Sequence, residues 1–109
     1  MNRYSYITNV ERPVEVLVFR MDPAVVDEFI RVDHEVWTLS EAHMEGLTDI
    51  PFLSKEVWLD NSKPGEVTIV FVWDTQKAWD IVGNTEFQKK LQAEFDSRFP
   101  HFRCCSTVH

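Results

Sequence analysis

Three charged residues and four indoles carry the chemistry open to this chain. Asp33 lies three residues after Ile30 and four before Trp37, inside an apolar stripe at helical spacing, whereas Lys55 and Glu56 are neighbours in a short stretch of two-residue alternation. A carboxylate turned toward a core costs several kcal/mol unless it finds a partner or keeps its proton, so Asp33 must be compensated. It can meet Lys55, or accept a hydrogen bond from the indole N–H of Trp58 or Trp73, and be structural. Alternatively Asp33 or Glu56, desolvated beside tryptophans, holds a raised pKa and abstracts a proton from an acidic phenol or enol. The carbanion-like product of that step reacts with oxygen without a metal. Trp37, Trp58, Trp73 and Trp79 each bury roughly 150–250 Å² and ask for an N–H partner when enclosed. They either pack a core and an interface or form the walls of a flat pocket for an aromatic molecule.

The candidate pocket therefore comprises Trp37, Lys55, Trp58, Trp73 and His34, the last adjoining Asp33 although helical neighbours point to different sides. His34, Glu41 and His43 do not converge at metal-ligand spacing, and no metal is expected. With three glycines there is no phosphate-cradling loop, no nucleophile elbow and no cysteine–histidine pair, so no cofactor is expected either.

These side chains need elements to position them. The stretch 52–74 reads as a β-hairpin: Lys55, Val57 and Leu59 alternate with Glu56 and Trp58, a turn follows at Asn61-Ser62-Lys63-Pro64-Gly65, and Val67 to Trp73 is nearly all β-branched or aromatic. A one-residue shift in register exchanges the faces of Lys55 and Glu56, so the pattern alone leaves both open. An earlier strand spans Val14 to Arg20. A long first helix is expected from about Pro23 to Met44, capped by Asp22, carrying Val26, Phe29, Ile30, Trp37 and Met44 on one side and Glu41 mostly elsewhere. Gln76–Val82 and Glu86 to about Phe99 form a second, interrupted helical region that Pro100 ends. The tail from His101 to Val108 is a last strand, with His101 and His109 solvated. Residues 1–12 form a flexible arm or a strap.

The order β-α-β-β-α-β is the ferredoxin-like split βαβ plan, a four-stranded antiparallel sheet with both helices on one face, built by a single domain of 109 residues with its core at 13–108. A strand as apolar as Val67–Trp73 needs both faces covered, and the helices cover one. A homodimer packed sheet to sheet, in the size class above about 2,000 Å², satisfies the other. The formal charge of −7, with 18 acidic against 11 basic residues and no basic cluster, argues against nucleic acid as a partner. No apolar run is long enough to span a bilayer and no leader resembles a signal peptide. Adjacent Cys104 and Cys105 are poorly placed to bond each other, and a reduced, cytoplasmic protein is the expectation.

With this plan, Asp33 and Trp37 in Asp-His-Glu-Val-Trp-Thr, then Lys55-Glu56-Val57-Trp58, then Val72-Trp73 and Trp79 resemble the dimeric α/β-barrel superfamily, which includes antibiotic-biosynthesis and haem-degrading monooxygenases. More closely, they resemble a small family of uncharacterised, largely cyanobacterial members. The resemblance covers about Val14 to Phe99. It implies a dimer of ferredoxin-like subunits and a ligand cleft between the sheet and helices of one subunit. Haem-degrading members use an Asn, a strand Trp and a His on the second helix. Trp73 corresponds to the strand Trp and Asn9 lies near the start of the sheet, but Thr75 to Phe99 contains no histidine, so haem degradation is not implied. The resulting expectation is a protein that binds a small hydrophobic or aromatic molecule, a cofactor-independent monooxygenase-like enzyme with Asp33 as base or orienter; the alternative is a non-catalytic binding or structural homodimer.

Overall fold

The structure, a computed structural model, describes residues 1–108; His109 lies outside them. Five strands form: β1 (Asn2–Ser5), β2 (Val10–Met21), β3 (Phe52–Leu59), β4 (Glu66–Trp73) and β5 (Arg103–Val108). The last four pair antiparallel in the order β5-β2-β4-β3, so the strands flanking each helical crossover are parallel to each other and separated by a third. This is the expected ferredoxin-like arrangement, with the helices on one face of the sheet. The crossovers are α1 (Val26–Asp33) continued by α2 (Leu39–Ala42), and α3 (Gln76–Val82) followed by α4 (Thr85–Arg98). Asp22, Thr75 and Asn84 accept backbone N–H bonds at the start of these helical regions, as short polar side chains do at N-termini.

The single alternation of β4 sorts the molecule. Val67, Ile69, Phe71 and Trp73 point into the core, where they meet Phe29, Val32 and Val36 from the first helical region and Leu91, Phe95 and Phe99 from the second. Phe29 is held edge-on by Phe95 and Phe99, with centroids 5.6 and 5.5 Å away. The other set faces outward: Val70 and Val72 cluster with Val14 and Val16, and Trp58 on the same face is 56% exposed. No helix among the described residues covers this apolar face, and none is long and apolar enough to cross a membrane.

Residues 1–12, expected as an arm or strap, instead begin the sheet. β2 starts at Val10 rather than Val14, and β1 folds back on it from Asn2↔Pro13 to Ser5↔Val10 around a turn that puts Asn9 at φ 54°. Asparagine tolerates that left-handed conformation, and its side-chain oxygen accepts the Tyr4 hydroxyl at 2.5 Å. The tip leaves Tyr6 and Ile7 at 90% and 96% exposure.

At the opposite end, the β3–β4 turn closes with Gly65 at φ 86°, its carbonyl accepting the Met21 N–H at 2.9 Å. A β-carbon there would lie 2.2 Å from the Met21 carbonyl oxygen, against backbone that cannot swing away. Gly65→Ala is expected to lower stability by about 2 kcal/mol or more, combining the φ penalty with this clash. Chemical denaturation measures it, and an unchanged unfolding midpoint would contradict the assignment of the turn.

Candidate functional site

Two local irregularities, each one residue in size, build the site. The first is in β3. Phe52 pairs with Trp73 and Ser54 with Val72, so an extra residue stands opposite consecutive partners on β4. A bulge of this kind reverses which alternate residues face the core. Phe52 packs inward against Phe71 and Trp73, and three residues later Lys55 is inward as well. Glu56 is thereby turned to the outer face. Lys55 and Glu15 flank Phe71 across β3, β4 and β2, and the Lys55 ammonium stands 5.1 Å from the Phe71 ring centroid.

The second is in the first helical region, which is not one continuous α-helix. Between α1 and α2, residues His34–Thr38 form a π-helical turn, closed by the Leu39 N–H on the His34 carbonyl five residues back. In an α-helix two residues five apart end up about 140° apart around the axis. The wider turn brings Asp33 and Thr38 to the same side, and Lys55 Nζ donates to both, at 2.8 Å to Asp33 Oδ2 and 2.6 Å to Thr38 Oγ1. The pair is nearly dry, with side chains of Lys55 and Asp33 only 5% and 8% exposed. Such π-turns recur at functional sites.

The same phase shift turns Glu41 inward. Expected on the polar side of a regular helix, it is instead 6% exposed. Three carboxyls, Glu15, Asp33 and Glu41, thus surround one ammonium. Burial pushes Glu41 up to about 7, with Glu15 and Asp33 adding repulsion that Lys55 and the Gln88 carboxamide only partly offset. Burial likewise raises Asp33 against the pull of Lys55. Glu15 is raised by burial too, against the pull of the Trp73 indole N–H and of Lys55. The indole N–H is directed at Glu15 and lowers it as a donor, but outside ordinary hydrogen-bond geometry, so Trp73 Nε1 has no regular partner among the described residues.

These groups open on a cleft of about 870 Å³ between the sheet and the helices, a size that suits a small organic molecule. One wall is aromatic: Phe71, Trp73 and Trp79 stack with interplanar angles of 12° and 6°. The outer end carries Asp96, His101 and Arg103, with Arg103 bound to Asp96 at 2.5 Å and His101 beside Glu28 at 2.9 Å. His101, expected to be solvated, is exposed, at the cleft mouth.

Of the residues singled out from sequence, the cleft gathers Asp33, Trp37, Lys55 and Trp73. Glu56 and Trp58 are not with them: both lie on the opposite face of the sheet, where the Trp58 indole donates to Glu56 Oε2 at 3.0 Å. His34 is exposed and also lies apart from the cleft. Glu15, Glu41, Gln88 and Trp79 complete it. Glu41 carried no signal in the sequence, because eight residues beyond Asp33 a regular helix has turned it about 80° away; for Glu15 the available signal was a lone carboxylate inside the β-branched run Val14–Val18. Among the described residues, no three His, Cys, Asp or Glu side chains converge closely enough to hold a metal ion.

No family model matches the sequence, and no curated protein does. Solved structures do. A candidate antibiotic biosynthesis monooxygenase from Caulobacter crescentus superposes with a TM-score of 0.57 at 14% identity, over 87% of this chain and 86% of that one. SnoaB, a cofactor-independent oxygenase from Streptomyces nogalater solved as a mutant, gives 0.57 at 14% identity over 88% and 89%. A conserved protein from Methanosarcina mazei gives 0.53 at 13% over 88% and 90%. At these identities the likeness is one of fold.

Proposed function

We propose that this protein is a homodimer whose subunits each bind a flat aromatic molecule in the cleft and remove a proton from it, in a cofactor-independent, monooxygenase-like reaction. The observation that carries the reading is the placement of three carboxyls and one ammonium against the Phe71–Trp73–Trp79 stack in a cleft of ligand size. A general base works best with a pKa near the operating pH, and Glu41, at about 7 and without an ion pair among the described residues, meets that condition. Glu41 is the base on this reading. Asp33 is the positioning residue, since its carboxylate fixes Lys55 and Lys55 stabilises the anion that proton loss creates. The Trp73 N–H supplies a second donor to the developing oxyanion. The resulting carbanion attacks dioxygen; a methylene carbon loses two hydrogens and becomes a carbonyl, and the second oxygen atom leaves as water. The substrate itself supplies the electrons.

The dimer rests on the outer face of the sheet, where Val14, Val16, Val70, Val72 and Trp58 form an apolar surface that a second copy would cover. Trp58 and Glu56 then belong to the subunit contact. The free Cys104 and Cys105 suit a reducing, cytoplasmic setting.

Native mass spectrometry should give a mass near twice 12.8 kDa. Titration with small phenols should quench tryptophan fluorescence to saturation, and the response should survive in Trp58→Phe, because the other three indoles line the cleft. A monomer would remove the dimer; a flat titration would remove the binding site.

A further inference from the structure

We infer that the inner end of the cleft selects aromatic ligands bearing a protonated amine and rejects carboxylates of the same shape. The inference rests on the reading that the cleft binds an aromatic molecule, and it adds the charge of that molecule.

The argument is one of charge balance. Facing the inner end are Glu15 from β2, Asp33 from α1, Glu41 from α2 and Lys55 from β3, with the uncharged Gln88 from α4. Lys55 gives two of its three N–H donors to Asp33 and Thr38, and its charge is balanced by Asp33. The remaining basic side chains on the cleft wall are engaged as well: Arg103 holds Asp96 and lies 4.5 Å over the Phe95 ring, while the His101 imidazole stands 2.9 Å from Glu28. Among the described residues, Glu15 and Glu41 are left with no cation of their own. Ionised together in a dry cleft, they repel each other and Asp33 more than one ammonium can offset.

A cationic ligand supplies what is missing. The carboxyls are too dispersed to close around a metal ion, so an extended organic cation fits their spacing better. The aromatic wall agrees, because the faces of Phe71, Trp73 and Trp79 attract positive charge. A second feature lies at the same end. The Trp73 indole N–H, on a residue 1% exposed, lines the same cleft beside Glu15 and completes no hydrogen bond of ordinary geometry among the described residues. A buried donor left unsatisfied asks for an acceptor, which a ring hydroxyl provides. A hydroxyaryl alkylamine satisfies the acids and the indole at once. A carboxylate would be a fourth acid facing one ammonium.

The titration of Glu41 gives a second readout. A bound cation favours the ionised carboxylate, so binding expels a proton, and affinity must rise as pH climbs through about 7.

Tyramine, tyrosol and 4-hydroxyphenylacetate share one ring and differ in charge, and isothermal titration calorimetry on the intact protein compares them. At about pH 8, tyramine is expected to bind about tenfold or more tighter than tyrosol, with 4-hydroxyphenylacetate weakest. Tyramine affinity should fall several-fold on acidification to about pH 6 with proton release at the higher pH, while tyrosol stays level. Glu41→Gln should bring the tyramine-to-tyrosol ratio toward one. Equal binding of tyramine and tyrosol would overturn the charge selectivity and leave the aromatic cleft standing. Binding of none of the three would overturn both.

Discussion

Replacing Lys55 with methionine is expected to cost the fold about 3–5 kcal/mol at neutral pH, the largest loss of any single substitution considered. The variant keeps the length and most of the volume of the side chain, so the packing on Phe71 survives and the loss is electrostatic. Asp33 loses the ammonium 2.8 Å away, and Glu15 and Glu41 lose the only positive charge among the described residues that lowers them. Three carboxyls then share a dry site without a counter-charge. The cost must shrink toward acid pH, where they take up protons, and part of it should be recovered in Lys55→Met combined with Asp33→Asn. Urea denaturation across pH measures both effects. A variant as stable as the parent at neutral pH would show that the buried pair is not what holds the two layers in register.

The second large effect concerns Glu41 and has the opposite sign. Its folded pKa of about 7 stands above the unfolded value of 4.5 because burial penalises the anion. Stability from this group is therefore complete below about pH 4.5 and is lost as pH rises toward about 7, to a total of about 3 kcal/mol. Asp33 and Glu15, also raised, act in the same direction. Glu41→Gln keeps the shape and cannot ionise. It is expected to flatten the pH dependence and to be about 3 kcal/mol more stable than the parent above about pH 8. Thermal or urea unfolding at several pH values tests this, and parallel curves for parent and variant would place Glu41 in contact with water. On the proposed reading, this loss of stability accompanies a base with a pKa near neutrality, the usual relation between a strained site and function.

The sequence pattern disclosed the ferredoxin-like order and most strand positions because each depended on a long-range regularity: alternation in Val67–Trp73, helical spacing in Phe87, Leu91 and Phe95, and Pro or Gly at the breaks. The partnership of Asp33 with Lys55 was also legible, since a carboxylate in an apolar stripe has few ways to be satisfied. What escaped was phase. Reading Pro23–Met44 as a uniform helix assigns Glu41 to solvent, and reading β3 as a uniform strand leaves Lys55 and Glu56 exchangeable. The π-turn at His34–Thr38 and the bulge between Phe52 and Ser54 decide these cases. Neither has a residue signature, because both are selected by the packing they permit rather than by local propensity. The N-terminal hairpin escaped for a different reason: Asn2–Ser5 has no apolar alternation and is held by backbone pairing to β2.

Those two irregularities have a bearing on how such a site arises. Each amounts to a single inserted residue, one in a helix and one in a strand, and each turns a different charged side chain from one side of its element to the other. Substitutions can only change what stands at a position that already faces inward. Insertions absorbed locally leave the positions beyond them facing as before. Deleting one residue from 34–38 would let the helix regularise with Glu41 still on the Asp33 side, and deleting Leu53 would let β3 regularise with Lys55 still opposite Phe71. The apolar frame of β4 and α4 would be untouched by either event. The charged cluster therefore survives a length change of one codon in either stretch, provided that the added residue is absorbed as a bulge or a π-turn rather than passed on to everything beyond it.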